Sequence, residues 1–594
     1  MLSARTALAA LLSASLLVAC GGAGGIGNII GGLSPTPSPT NAPSSTNVGY
    51  SCPSSLNGTS TVRMAASLAS FGSDAIRRAP AKASSQSSSE PSTLPGLLEV
   101  VRSGAAATGT RGTLSTEIAH AGGNVAQRFT FANIGTSIDV VAVNPAKSAA
   151  IAAQMRLLPG VTKVVPMGLR YTQSVLAPVT TNDPYFQGFP GSVAPYYEAG
   201  NPAPSPAPGT SLPGQWDMHA ISLGHAWAYS NLTDAPAGYQ NTAAMGSSSV
   251  RVAIVDTGAD VTHPELSSKV VYEHCFITDI NSGVQSSSNY VTDLDGHGTD
   301  VAGIAAADVN NGLGFVGAGG NVSLIVERVF PSPPSNCVSQ LSSNPQACST
   351  SASTADIASG IDDAVANGAK VVNLSIGASC AGGDDPLEAN AVANALAANV
   401  VVVAASGNSG GSTLDAPACD TGVIAVGASA LSDGYPNGTY SAGAPGTSSA
   451  PIEYVPSYSN YQAGSTTWGL VAPGGDPANV GPGVDDLHWI ENIYSSTAMG
   501  GATCTPDFEA PSGSQGDCRI LIAGTSQATP HVSGAAALLL SVNSSLTPTQ
   551  VRNYLCSDAY TLPTVSAAAQ GCGRLDIYRA MADVLSDPNL PPAQ

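Results

Sequence analysis

The chain has 594 residues, more than one ordinary domain requires, and only 10% of them are Asp, Glu, Lys or Arg, against about 25% in a typical soluble domain. Its 40 acidic and 20 basic residues leave a net charge of −20, and five lysines in the whole chain exclude the basic face that nucleic-acid binding needs. The charge is divided: residues 1–175 carry 12 basic and 5 acidic groups, net +7, and residues 176–594 carry 8 and 35, net −27, so the two parts are expected to associate.

In chain order, Met1–Cys20 holds one arginine, an apolar stretch from Ala7 to Ala19, and then Cys20. That stretch is too short to span a bilayer, so it reads as a signal peptide and not a membrane anchor. Leu17-Val-Ala-Cys20 matches the bacterial lipobox, which implies cleavage before Cys20 and a lipid on its sulfur. The alternative is an ordinary secretory signal that happens to end in Cys. Residues 21–47 are uncharged and rich in Gly, Ser, Pro and Thr, the composition of a flexible tether. The expected boundaries are 1–19 for the signal peptide and 20–49 for the tether.

Residues 50–110 are Ser/Ala-rich and expected to be partly disordered. Ser137-Ile-Asp-Val-Val-Ala-Val143 reads as a strand, Ala146 to Leu158 as a helix, and Gly160-Val-Thr-Lys-Val-Val-Pro166 as a second strand. Residues 184–214, rich in Pro and Gly, read as an irregular lead-in.

Strands and helices then alternate from 250 to 430, the pattern of a parallel sheet flanked by helices. Val252-Ala-Ile-Val255 is an unbroken apolar run, as expected of a central parallel strand. Asp256 stands at its carboxyl end, where open α/β sheets carry their functional groups. In Asp295-Gly-His297-Gly-Thr299 two glycines leave the imidazole reachable, and Val301 to Ala307 reads as a buried helix of small residues. Ser526, in Gly524-Thr-Ser526-Gln-Ala-Thr-Pro530-His, opens a helical run from Ala528 to Leu540, with Pro530 expected in the first turn. A hydroxyl at a helix N-terminus sits in the positive end of the dipole. Each residue alone is more often a satisfied core group. Together Asp256, His297 and Ser526 supply acid, base and nucleophile in one of the known chain orders of a serine-protease triad. His263 and His531 are expected to be structural.

These residues resemble the subtilisin-like (S8) serine peptidases, over roughly residues 182 to 585. The resemblance takes in Asn408 in Val400-Val-Val-Val-Ala-Ala-Ser-Gly-Asn408, the motif Asn373-Leu-Ser375-Ile-Gly377, and Leu470-Val-Ala-Pro-Gly-Gly475. It implies an α/β fold, a three-layer arrangement with a parallel central sheet flanked by helices, preceded by a small α+β propeptide domain. It also implies a serine endopeptidase working through an acyl-enzyme intermediate: His297 takes the Ser526 proton, Asp256 orients the imidazole, and the Asn408 amide binds the oxyanion. Ser375, Ile376 and Gly377, with Ala405, Ser406 and Gly407, would line the S1 pocket. Asp415 stands either at the base of that pocket, favouring Arg or Lys, or as a solvent-facing loop acid. One departure is Gln527, where the family usually has Met, beside the reacting carbonyl. Sedolisins, which replace the His with an acid, are excluded by Asp295-Gly-His297-Gly.

On the same resemblance, residues 50–181 are a propeptide, with its inhibitor-like portion at about 110–175, which assists folding and blocks the site until cut between Met167 and Asp183. The catalytic domain would run from 182 to 588, with its usual beginning at Gln215-Trp-Asp-Met-His-Ala-Ile221. Residues 477–520, with Trp489, would form a rim loop. No cofactor is needed for catalysis. A structural Ca²⁺ in Asn310-Asn-Gly-Leu-Gly-Phe-Val-Gly317, with Asn311 and Glu265 as side-chain ligands, competes with a plain Gly-rich turn. The expected partners are protein or peptide substrates and the chain's own propeptide, with membrane contact only through a lipid on Cys20.

Of eleven cysteines, ten remain after Cys20 and are expected to pair in an oxidising compartment. Cys504 with Cys518 and Cys556 with Cys572 read as local pairs, and the resemblance pairs Cys380 with Cys419. Cys275, Cys337, Cys348 and Cys52 are left with their pairing open: Cys275 could join Cys337 or Cys348, and an odd thiol would remain on the mature enzyme if Cys52 leaves with the propeptide. No Cys-x-x-Cys spacing supports a zinc site. Scarce ion pairs suggest a fold tolerant of acid. Two rival readings are a peptide-binding surface lipoprotein on the same fold, and an esterase or transacylase using the same three residues.

Overall fold

The computed structural model describes residues 51–52, 76–79, 93–103, 111–172, 175–177, 215–229, 241–309, 311, 315–334, 337, 350–380, 385–432, 452–476, 490–498 and 519–586. The signal peptide, the tether, the 184–214 lead-in and the Cys504–Cys518 pair lie outside them. Among the described residues, no helix is long and apolar enough to cross a membrane.

The first part of the chain contributes β1 (Ile76–Ala79), β2 (Thr93–Ser103), β3 (Gly123–Phe131), β4 (Thr136–Val143), β5 (Val161–Thr172) and β6 (Val175–Ala177). Strands β3, β4, β2 and β5 form an antiparallel sheet in that order. The period of two sorts β2 onto two faces. Leu98 and Val100 pack with Ile118, Ile151 and Met155 from the unit's own helices, whereas Leu97 and Val101 join the core beneath the next domain. This sheet is the small α+β unit expected. Strand β2 lies in the Ser/Ala-rich stretch expected to be partly disordered, where Leu97-Leu-Glu-Val-Val101 supplies enough apolar side chains for a central strand. The helix expected over 146–158 is a turn at Pro145–Lys147 followed by Ser148–Met155. Strand β5 continues six residues beyond Pro166, because its end pairs outside its own sheet.

The larger part contributes β7 (Arg251–Asp256), β8 (Val270–Thr278), β9 (Gln285–Ser288), β10 (Ser323–Arg328), β11 (Ser351–Ser353), β12 (Val371–Leu374) and β13 (Ile376–Ser379). It continues with β14 (Val401–Ala405), β15 (Asp415–Ala416), β16 (Ile424–Ser432), β17 (Ile452–Tyr454), β18 (Gly469–Pro473), β19 (Ile490–Ile493) and β20 (Arg519–Ile522). Strands β8, β10, β7, β12, β14, β16 and β18 are neighbours in that order and all run parallel. Both faces are covered, so β7 is apolar from Val252 to Val255. Val252 and Ile254 pack with the helices His297–Ala306 and Thr525–Val542, and Ala253 and Val255 with Thr354–Ala366 and Pro386–Ala397. This is the expected three-layer arrangement.

The two parts share a core: Leu97, Phe129, Phe131, Ile138 and Met167 lie in one buried cluster with Ile357, Ala358, Leu387 and Val392. Asn133 donates two hydrogen bonds to Asn394, from its backbone N–H to Oδ1 and from Nδ2 to the backbone carbonyl. A disulfide also joins the parts, Cys52 to Cys275, which corrects the pairing of Cys275 with Cys337 or Cys348. Cys52 is the cysteine left over by counting, and Ser286 on β9 accepts its backbone N–H at 3.1 Å. The Cys380–Cys419 and Cys556–Cys572 bridges are as expected, and Cys337 is disulfide-bonded. The insertion expected as a rim loop is partly structural: β19 pairs with β20, and Ile490 and Ile493 are fully buried.

Candidate active site

Asp256 ends β7 and His297 opens the helix His297–Ala306. Both are fully buried, with His297 Nδ1 2.7 Å from Asp256 Oδ1. The same carboxylate oxygen accepts the Thr257 backbone N–H at 2.7 Å. A Cβ on Gly298 would collide with the Gly258 carbonyl, so only glycine lets the helix start come this close to the strand end. Sequence reasoning missed Asp293, which organises both loops. Its carboxylate accepts from Thr257 Oγ1 at 3.0 Å, the Gly296 N–H at 2.7 Å, and the Thr299 N–H and hydroxyl at 2.9 and 2.6 Å. The one signal for it was its place two residues before Asp295. Tyr494 and Ser495 brace this loop from the insertion, donating to the carbonyls of Asp295 at 2.9 Å and Asp293 at 2.7 Å.

Ser526 is the second residue of the helix Thr525–Val542, so Pro530 stands in the second turn and not the first. Ser526 Oγ donates to the Ser375 carbonyl at 3.0 Å, and Ser375 Oγ donates to the Ser526 carbonyl at 2.7 Å. Asn373 Nδ2 donates to Ser375 Oγ at 3.0 Å, and Ser533 Oγ holds Asn373 Oδ1 at 2.8 Å. His297 Nε2 is buried with no hydrogen-bond partner among the described residues. Asn408 Oδ1 accepts both the Thr525 N–H at 2.9 Å and the Thr525 hydroxyl at 2.8 Å. Two donors on one end fix the amide's orientation and make Nδ2 its donor end.

The residues expected on the substrate side are paired with β5. Tyr171 and Thr172 pair antiparallel with Gly377 and Ile376, while Leu169, Arg170 and Tyr171 pair antiparallel with Ser353, Ala352 and Ser351. Behind Gly377 and Gly407 lies Asp415. A Cβ on Gly407 would collide with its Oδ2, and one on Gly377 would lie 3.3 Å from its Cβ and 3.8 Å from Oδ2. Asp415 is half-buried, and its N–H donates to the Ser406 carbonyl at 2.9 Å. The carboxylate thus lies against Gly377 and Gly407, not out in a solvent-facing loop.

The remaining residues fall outside this cluster. Gln527 is buried and donates to Asp300 Oδ2 at 2.9 Å, between two helices. His531 sits between the Gln527 carbonyl at 2.8 Å and Asp217 at 2.9 Å, and His263 Nδ1 accepts the Glu265 N–H at 3.1 Å. Burial lowers the His263 pKa to about 4, so it is a neutral acceptor. Asn311 Nδ2 at 2.9 Å and the Phe315 N–H at 3.2 Å each donate to one Glu265 oxygen. That carboxylate is therefore engaged by donors without a cation, and burial raises its pKa to about 7. Among the described residues no three His, Cys, Asp or Glu side chains form a metal cluster. No step is derived through calcium.

Burial by itself would depress the His297 pKa. The Asp256 charge and hydrogen bond, with Asp295 and Asp300, outweigh it and hold the imidazole above its ordinary 6.5. The imidazole can therefore take up and keep a proton more readily than an ordinary histidine.

Residues 247–573 match the family model of peptidase S8, the subtilase family. The thermophilic serine proteinase of Bacillus sp. (strain AK1) is 34% identical over 297 residues, covering 50% of this chain and 53% of that protein. The chain therefore spans about half the length of this relative. Subtilisin DY of Bacillus licheniformis is 34% identical over 317 residues, covering 53% of this chain and 84% of that protein. A crystal structure of the epidermin leader peptide processing serine protease from Staphylococcus aureus has the same fold, with a TM-score of 0.53 and 18% identity over 82% of this chain and 98% of that one. The chain belongs to the subtilase family of serine endopeptidases.

Proposed function

We propose that the protein is an extracytoplasmic serine endopeptidase, made as a self-inhibited precursor, that hydrolyses peptide bonds through an acyl-enzyme on Ser526. The observation that carries this is the peptide strand at the nucleophile. Thr172 is paired with Ile376, the residue after Ser375, and the Ser375 carbonyl accepts the Ser526 hydroxyl. In the reaction the hydroxyl turns from that carbonyl to His297 Nε2, which takes its proton as Oγ attacks the substrate carbonyl. Asp256 keeps the imidazole in the tautomer with Nδ1 protonated and stabilises the imidazolium. Asn408 Nδ2 donates to the oxyanion, at a position its Thr525 contacts make rigid before substrate arrives. His297 then returns the proton to the leaving amine, and water splits the ester.

Residues 50–181 act as the propeptide and inhibitor, and a lipid on Cys20 anchors the precursor. Support comes from the charges of the two parts, their common core, and the strand β5 in the cleft. A carboxylate behind Gly377 and Gly407 favours Arg or Lys at P1 of separate protein substrates, since a long cation can reach it between two walls that lack side chains. The chain's own stretch Thr172-Gln-Ser-Val175 has no such residue, and its cleavage rests on the high effective concentration of a segment already joined to the enzyme. The test is to incubate the purified precursor beside its Ser526→Ala variant, following intact mass and casein hydrolysis. The wild type alone should be cut and gain activity. If both behave alike and neither cleaves casein, the peptide-binding reading replaces this one.

A further inference from the structure

We propose that the chain cuts itself between Thr172 and Val175, and that the Cys52–Cys275 disulfide then holds the two pieces together as one two-chain molecule. This rests on the reading of Ser526 as a peptidase nucleophile.

Two sheets bracket the cut. On one side β5 ends at Thr172, opposite Ile376, one residue short of Ser375. On the other side Val175–Ala177 pairs antiparallel with β1, which pairs parallel with β20, so that Leu176, Arg78 and Ile522 stand in one row. Strands lie about 4.8 Å apart, so Leu176 is roughly 10 Å from Ile522. Ile522 precedes Ser526 by four residues on the chain. The chain therefore leaves the cleft on the Ser375 side of the nucleophile and reappears beside the strand that leads into it. Three peptide bonds join Thr172 to Val175 and reach at most about 11 Å, so the ends of the two strands stand no farther apart than that. Among the described residues, no other stretch of the prosegment is paired on both sides in this way.

Hydrolysis here follows the proposed route. Ser526 Oγ bonds to the carbonyl carbon, its proton passes through His297 to the departing nitrogen, and the C–N bond breaks. Water then splits the ester, leaving a new carboxylate on the first piece and a new amine on the second.

Cys52 is on the first piece and Cys275, in β8, on the second. A cut between 172 and 175 lies inside the 223-residue separation of the two cysteines, so it cannot release the prosegment. The cleaved end of β5 stays in the cleft as a tethered ligand, whose effective concentration is on the order of millimolar. Cleavage and activation are thus separate events. Activation needs either a thiol reductant or a second cut between Cys52 and β2. With a lipid on Cys20, the same bond keeps the catalytic piece at the membrane after the first cut.

The experiment uses the full chain and takes early time points by intact mass, non-reducing and reducing gels, and N-terminal sequencing. The expected result is one species heavier by one water without reductant, and two pieces with reductant, the larger beginning at Gln173, Ser174 or Val175. Ser526→Ala stays a single chain under both conditions. Cys52→Ser is cut at the same place, but its pieces part without reductant and caseinolysis appears sooner. If casein is hydrolysed and the larger piece begins elsewhere, or if the wild-type pieces part without reductant, this proposal falls and the peptidase reading stands. If wild type is neither cut nor active on casein, both fall. The wild-type gels decide the matter even if Cys52→Ser fails to fold.

Discussion

Pro530 stands four residues after Ser526 and has no N–H to give it, so the Ser526 carbonyl lacks the usual helical donor. Ser375 Oγ supplies the bond from outside at 2.7 Å, and the Ser526 hydroxyl returns one to the Ser375 carbonyl. A proline in a helix thus ties the nucleophile to the strand that binds substrate. Ser375→Ala should leave a buried carbonyl unsatisfied and cost about 1–3 kcal/mol. Denaturant titration in a Ser526→Ala background, which avoids autolysis, reads that loss, and an unchanged midpoint would show that the bond contributes nothing.

The imidazole of His297 works as a base only when neutral, and its pKa is held above 6.5 by neighbouring acids, Asp256 first and then Asp295 and Asp300, against the effect of burial. The acid limb of kcat/KM should therefore lie above pH 6.5. Asp295→Asn removes one charge that favours the imidazolium, so the limb should move to lower pH. A limb that stays in place in the variant's pH–rate profile would rule Asp295 out as a contributor.

Glu99, on the buried face of β2, accepts from the Thr354 hydroxyl at 2.9 Å and the Leu387 N–H at 2.8 Å, at the starts of two helices of the catalytic part. Burial, and then the charge of Asp385, raise its pKa well above 4.5. The docked state therefore holds a proton that the free prosegment loses above its ordinary pKa. Docking is strongest below about pH 4.5 and weakens as pH rises from there through the raised value. After cleavage of the Cys52→Ser variant, the prosegment should dissociate faster at pH 8 than at pH 5, and Glu99→Gln should flatten that difference. Size-exclusion chromatography at the two pH values measures it.

Asp415 lies against Gly377 and Gly407, the proposed walls of the P1 pocket. Asp415→Ala should lower the ratio of kcat/KM for Arg over Phe at P1 by about tenfold or more, the scale of one charge-assisted contact. Matched peptide substrates differing only at P1 provide the measurement. Equal rates with Arg and Phe in the wild type, unchanged by the variant, would remove the assignment.

Several buried carboxylates have pKa values raised by burial, among them Asp356 and Asp558 to about 6. Folding then takes up protons, so these groups favour the fold as pH falls from about 6 toward their ordinary range near 4. The melting temperature of the Ser526→Ala protein should be at least as high at pH 5 as at pH 7.5. A fall over that interval in a thermal melt would remove the expectation of acid tolerance drawn from the scarcity of ion pairs.

The local sequence determined those features whose physical cause is itself local. The apolar run before Asp256 could only be a strand covered on both faces, and glycines around His297 and small residues after Ser526 announced tight helix starts. That is why the parallel sheet, the three chemical groups and the short-range Cys556–Cys572 bridge could be read in advance. Only tertiary structure decided what depends on distant partners. Cys52 finds Cys275 across 223 residues, and no spacing rule reaches that far. The length of β5 was set by Ser351–Ser353 and Ile376–Gly377, not by its own residues. Glu99 is met by two helix starts that lie more than 250 residues further along the chain. Gln527 turned from the reaction to Asp300 because a neighbouring helix offered a carboxylate there. Residue types and periodicity fix which face of an element is buried, but the third dimension alone brings remote groups within hydrogen-bonding reach.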